Sequence, residues 1–154
     1  DQELHRSIAL LVGKQLKEVL DIDVRIETFK WDRYMEKCLQ HDFRIMATTW
    51  YSWYNDPIYK LEQIKYKSGD MNMTQWQNDH YIALLNDAEE CLNNTKRRAF
   101  LRAAEKIVME EMPIIPLFCY TFRYMKKESV ENIFLSHLGQ IDFKWAKIIS
   151  TDKS

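Results

Sequence analysis

Five aromatic rings crowd into one short stretch: Trp50, Tyr51, Trp53, Tyr54 and Tyr59, with Asn55-Asp56-Pro57 set among them. These side chains suit recognition better than reaction. Indole and phenol faces stack on planar or cationic groups, and phenol and amide ends add hydrogen bonds. The carboxylate of Asp56 is the one charged group in the stretch. Asp directly before Pro, however, reads as a helix N-cap followed by proline at the first helical position, which commits its oxygens to backbone N–H groups.

Residues able to do covalent or metal chemistry are scattered. His5, His41, His80 and His137 have no histidine partner four residues away. Glu89-Glu90 and Glu110-Glu111 read as charged helix faces rather than acid–base pairs. Cys38, Cys91 and Cys119 show no CxxC spacing, which leaves a zinc site without support. Cys91 and Cys119 could pair in an oxidising compartment, and sequence leaves their state open. With only Gly13, Gly69 and Gly139, no Gly-rich phosphate loop exists, so Walker and Rossmann fingerprints are excluded. No nucleophile stands beside a base. The expectation is no catalytic residue, no metal ligand and no cofactor.

Composition bounds the rest. At 154 residues, 46% apolar and 29% charged, the chain has the make-up of one globular domain. A net charge of −1 gives no electrostatic footprint for nucleic acid. No apolar run approaches the roughly 20 residues that span a bilayer. The chain opens DQELHRS, with neither an initiator Met nor a signal peptide, as expected of a mature cytosolic protein or of a piece of a longer one.

The elements that would position the rings follow from periodicity. Leu4, Ile8, Leu11, Val12, Leu16 and Val19 recur at helical spacing, predicting an amphipathic helix over 3–20. Ile22, Val24 and Ile26 alternate with charged residues, predicting a strand over 22–28. A short helix over 31–40, with Tyr34, Met35 and Leu39 inward, leads to a buried strand over 43–50. The two strands are expected to be parallel, as in a βαβ unit. Trp50 then lies at a strand end, and Tyr51, on the opposite side, is expected in the core. A helix starts at Asp56-Pro57 and runs to about 64; 66–78 is a polar surface loop. Helices over 79–92 and 96–111, the second capped by Thr95, form an αα-hairpin joined at Asn93-Asn94. Lys96-Arg97-Arg98, at the helix end that disfavours cations, is read as a solvated face. Pro113 stops the hairpin. PIIPLFCYTFRYM is rich in β-formers but restricted by Pro116 to an edge or bulge, and final strands are expected at 133–135 and 142–149. The fold class is α/β: a βαβ core, an αα-hairpin and C-terminal strands.

In order, IDVRIETFKWDRYMEKCLQHDFRIMATTW, then YNDP, then Trp76-x-Asn78-x-x-Tyr81, then KRRAFLRAAEKIVMEEMPIIPLF and LGQIDFKWAKI resemble one family over nearly the whole chain. It is the carboxy-terminal part of the peptide-binding proteins of ATP-binding cassette importers, the oligopeptide and dipeptide receptors. The resemblance implies a partial C-terminal lobe of periplasmic-binding-protein type over residues 1–135. It implies that 136–154 returns toward an N-terminal lobe supplied by residues outside this chain. It also implies a monomer, periplasmic or lipid-anchored, with a peptide or peptide-like ligand and membrane permease subunits as partners.

Such receptors hold an extended peptide through its main chain and meet its charged ends with ionic groups. This sequence departs at each of those positions. Trp53 stands where many members carry the Asp that meets the peptide amine. Ala47 and Cys38 stand where some members carry Arg. Trp50 matches a family Trp beside the cleft, and Tyr54 and Asn55 shape the turn. The ligand-binding set implied is therefore Trp50, Trp53, Tyr54, Asn55, Ala47 and Cys38. Trp53 either stacks on ligand or plugs the cleft. The rival readings are a ligand-sensing module of a regulator built on the same lobe, and a receptor for a non-peptide solute such as a metal chelate. Asn72-Met73-Thr74 and Asn93-Asn94-Thr95 match the glycosylation acceptor pattern, which the resemblance to a bacterial-type receptor makes accidental.

Overall fold

The computed structural model describes residues 2–149. The chain divides into two compact units, Asp1–Trp50 and Tyr51–Ser154.

In the first unit, α1 (Gln2–Leu20) is the expected amphipathic helix. It closes on Asp21, whose φ of 55° is left-handed. The N–H groups of Asp21 and Ile22 donate to the carbonyls of Lys17 and Leu16 at 3.0 and 3.2 Å, satisfying acceptors that the helix end would leave open. The following residues pass close over Gly13. A Cβ there would meet Ile26 Cδ1 at 3.6 Å and Val24 Cβ at 3.8 Å. Helix α2 (Trp31–Leu39) follows, with Lys30 at its N-cap position.

The expected strands over 22–28 and 43–50 form no ladder among the described residues, so the parallel βαβ pairing is absent there. The physical reason is that alternation fixes only which side chains share a face. A ladder also needs a partner backbone in register, and these segments find none within 2–149. Leu39 is a second correction: it is exposed, because α2 turns Tyr34 and, one turn later, the buried Cys38 inward instead.

The second unit is built on α3 (Pro57–Leu61), a 3-10 turn over Glu62–Ile64, α4 (Asp79–Glu90) and α5 (Asn94–Glu111). Its core joins Tyr81, Leu84, Leu85 and Ala88 of α4 to Leu101, Ala104 and Val108 of α5, with Ile58 and Ile64 packed on them. The i, i+3, i+4, i+7 spacing gives each helix one apolar stripe, and the fully buried Ala88 and Ala104 allow close approach. The hairpin is as expected, but its second helix starts earlier. Asn93, not Thr95, is the N-cap: its Oδ1 accepts from Thr95 N at 3.1 Å and Lys96 N at 3.0 Å. Met112, left-handed at φ 49°, ends α5 before Pro113.

Beyond it, residues 114–125 form no strand. Four two-residue strands follow: β1 (Val130–Glu131), β2 (Phe134–Leu135), β3 (Ile141–Asp142) and β4 (Lys147–Ile148). β1 pairs antiparallel with β4, and β2 with β3. The β2–β3 turn needs its glycine. Gly139 has φ +79°, and a Cβ on it would lie 2.4 Å from the Phe122 ring. Of the segment 136–154, residues 150–154 lie outside the described residues.

Candidate ligand-contact site

The turn of the second unit is set by Asp56. Its backbone is extended, and its Oδ1 accepts the Ile58 N–H at 3.0 Å, starting α3 with Pro57 in the first turn. Arg97, in the first turn of α5, donates from Nη2 to Oδ1 at 3.0 Å and Oδ2 at 2.9 Å. This corrects the reading of 96–98 as a solvated face: Arg97 is half-buried, and a carboxylate offsets its unfavourable place at a helix N-terminus. Burial pushes the Asp56 carboxyl up, but the bonds from Arg97 and from the Ile58 N–H outweigh it, and the net direction is down.

On that base stand Trp53, Tyr54 and Asn55. Trp53 is 74% exposed, so its indole is not packed into protein. Tyr54 is held edge-on to Tyr59, ring centroids 4.7 Å apart and planes at 67°. Asn55 is exposed. Tyr51, expected in the core, is 55% exposed; it stacks on Tyr120 with centroids 6.4 Å apart at 28°. The strand that would have buried it does not form among the described residues, and its ring meets those of Tyr120 and Phe122 instead.

The other three candidates lie in the first unit. Cys38 is 2% exposed, its Sγ 2.9 Å from Met46 Sδ. Ala47 is exposed, and its carbonyl accepts from the Tyr34 hydroxyl at 2.9 Å. Burial, then Cys38, pushes the Tyr34 phenol up to about 12. Trp50 is half-buried. The structure thus gathers Trp53, Tyr54 and Asn55 on one turn, and Cys38, Ala47 and Trp50 around α2 and the segment after it.

The Trp76-x-Asn78-x-x-Tyr81 motif proves to be a fastening. Trp76 Nε1 and Asn78 Nδ2 each donate to one oxygen of Glu111 at 2.6 Å. Asn78 Oδ1 caps α4 by accepting from Tyr81 N at 3.0 Å, and the Trp76 and Tyr81 rings meet edge to face at 5.0 Å. Asn72 organises the preceding loop. Buried at 2% exposure, it donates from Nδ2 to the carbonyls of Ile64, Tyr66 and Trp76 and accepts from Thr74. The sequence reading missed both anchors. Two side-chain donors just ahead of a helix signal that acceptors must meet them, but not that both would be the oxygens of Glu111. All three cysteines are free, and among the described residues no group of three or more His, Cys, Asp or Glu could hold a metal ion. No described helix is long and apolar enough to cross a membrane.

Comparison with known proteins places this arrangement. No family model matches the chain. The oligopeptide-binding protein OppA of Bacillus subtilis is 32% identical over 142 residues, 92% of this chain and 26% of that protein. The probable deoxycholate-binding periplasmic protein YgiS of Escherichia coli is 32% identical over 116 residues, 75% of this chain and 22% of that protein. The unliganded open form of MppA, a periplasmic murein tripeptide binding protein, matches with a TM-score of 0.70 at 28% identity, covering 73% of this chain and 22% of that one. The relatives that this chain matches are binding proteins, and the match falls on one part of their length. The chain belongs to the oligopeptide- and dipeptide-binding family, and spans about a quarter of the length of the relatives it matches. The periplasmic-binding-protein fold expected from sequence is the fold of its structural neighbours, although the parallel pair is not formed among residues 2–149.

Proposed function

We propose that this chain forms one wall of the ligand cleft of an extracytoplasmic receptor for peptides blocked or modified at their ends. The observation that carries this reading is Trp53: a 74% exposed indole stands where the family resemblance puts an amine-binding Asp. The nearest carboxylate, Asp56, is engaged by Ile58 and Arg97 and is not free to replace it. Burying a peptide ammonium without a partner is costly. An aromatic wall instead favours an uncharged or apolar end. Beside Trp53, Tyr54 and Asn55 add a ring face and an amide; in the first unit Trp50 offers an indole, while Ala47 and Cys38 supply no cation for a peptide carboxylate.

In this reading the protein does no covalent chemistry. Ligand bridges two lobes, biases an open–closed equilibrium toward closure, and permease subunits of an ATP-binding cassette importer respond to the closed form. Residues 1–135 belong to the C-terminal lobe, and 136–154 return toward the other; the receptor is a monomer, periplasmic or lipid-anchored. The likeness to a relative named for deoxycholate binding favours a second reading, an amphiphilic non-peptide solute met by the same rings.

Titration calorimetry on the full-length receptor tests both. Trp53→Asp should raise affinity for peptides with free amino termini about tenfold, roughly 1.4 kcal/mol. Affinity for N-acetylated peptides should not rise. An unchanged preference would show that Trp53 does not occupy the amine position, and tight deoxycholate binding by the unaltered receptor would favour the second reading.

A further inference from the structure

The turn that carries Trp53 has little within itself to hold it in place. Trp53, Tyr54 and Asn55 are all exposed, and they join no ladder among the described residues. Their links to the rest of the unit run through two neighbours. The Tyr54 carbonyl accepts from the Asp56 N–H at 3.1 Å, and the Tyr54 ring rests edge-on against Tyr59. Asp56 and Tyr59 belong to the start of α3, a helix of five residues and too short to hold its shape alone. The turn is therefore placed only as well as α3 is.

Two contacts set the start of α3 against the hairpin, and they differ in kind. Ile58 is buried on the α4–α5 core, a non-directional contact that leaves the orientation of α3 loosely set. Arg97 donates from the single nitrogen Nη2 to both oxygens of Asp56, at 3.0 and 2.9 Å, and bonds to a charged acceptor fix direction as well as distance. The helix α5 itself gains nothing from a cation at this place. Asn93 already caps it, and positive charge is unfavourable at a helix N-terminus. The pair is also partly withdrawn from water, its side chains 25% and 30% exposed, so removal of one partner leaves the other partly buried and unpaired.

We propose that Arg97 is a positioning residue for the ligand site: through Asp56 it fixes the turn that presents Trp53, Tyr54 and Asn55, and so sets ligand affinity without being one of the contacting side chains. The proposal rests on the reading of that turn as a ligand contact. A surface held ready before ligand arrives loses less freedom on binding. Releasing the turn from α5 therefore weakens binding even when every contacting side chain is kept.

Two measurements on the full-length receptor test it: calorimetry with an N-acetylated tripeptide amide as probe, and amide NMR of the ligand-free protein. Arg97→Gln should weaken probe binding about fivefold and shift the Trp53 indole and Asn55 amide signals. Arg97→Lys should recover most of the loss, because a single nitrogen makes both bonds to Asp56. Arg98→Gln, the same change at an exposed neighbour, should alter neither readout. Asp56→Asn keeps a capping oxygen but not the charge. In that background Arg97→Gln should cost little more, since the two residues act as one unit. Equal losses in both backgrounds, no recovery in the lysine variant, or turn signals indifferent to Arg97 would each overturn the proposal. Shifted turn signals with unaltered probe binding would instead overturn the reading of the turn as a ligand contact.

Discussion

Asp56 shows how one side chain sets a local geometry. It caps α3 and holds Arg97; the ionised form strengthens the cap, and the two bonds from Arg97 need both oxygens as acceptors. Asp56→Ala should lower stability by about 1–2 kcal/mol in urea unfolding at neutral pH, the usual loss for an N-cap aspartate. The depressed carboxyl adds a pH signature. Its contribution is present above its ordinary value, about 3.9, and is lost as pH falls through the lowered one, so the variant should show a shallower acid limb. An equal loss at pH 7 and pH 2 would contradict this. The cap was legible in Asp-Pro because capping is settled within two or three residues. Its partner Arg97 was not, being 41 residues away, nor was Glu111, 35 residues from Trp76. Local chemistry leaves a mark in the string of residues, whereas the identity of a distant partner emerges only on packing.

The same division runs through the elements. The α4–α5 hairpin was readable because each helix carries its own 3.6-residue stripe and its own cap. Leu85, fully buried at the centre of that stripe, should cost about 2–5 kcal/mol when replaced by alanine. Leu39→Ala, on an exposed position at the end of α2, should cost less than about 0.5 kcal/mol. Denaturant midpoints of the two variants would check the contrast, and similar losses would mean that the core is misassigned. Segments 22–28 and 43–50 were harder. Their residues have the composition and alternation of strands, but a strand is a relation between two backbones, and one sequence states only half of it. The candidate site straddles these cases: the Asp56 turn was readable, while the exposure of Trp53 and Tyr51 depended on what failed to cover them.

At the scale of the whole molecule the main observation is apolar surface. Ile115, Leu117, Phe118, Phe122 and Met125 are all exposed along 114–125, and Leu10, Leu11, Val19 and Leu20 along α1. Exposed apolar area of this kind marks surfaces that belong against something else. That agrees with a chain matching about a quarter of its relatives' length. By the reading above, one wall of a cleft gives few contacts and no closure, so the 154 residues alone should bind mixed short peptides weakly or not at all. Titration calorimetry decides the point, and clear micromolar binding would refute the two-lobe account.

Asn72 bears on how this protein is to be made. It sits in an Asn-Met-Thr acceptor sequence, and its amide nitrogen is the atom to which a sugar would be joined. That nitrogen already serves three carbonyls in the buried centre of a loop. Asn93, in the second acceptor sequence, caps α5 through its oxygen and so tolerates a glycan on its nitrogen. Secretion from a eukaryotic cell would therefore decorate Asn93 harmlessly but spoil the fold at Asn72, and expression in a bacterial host avoids the conflict.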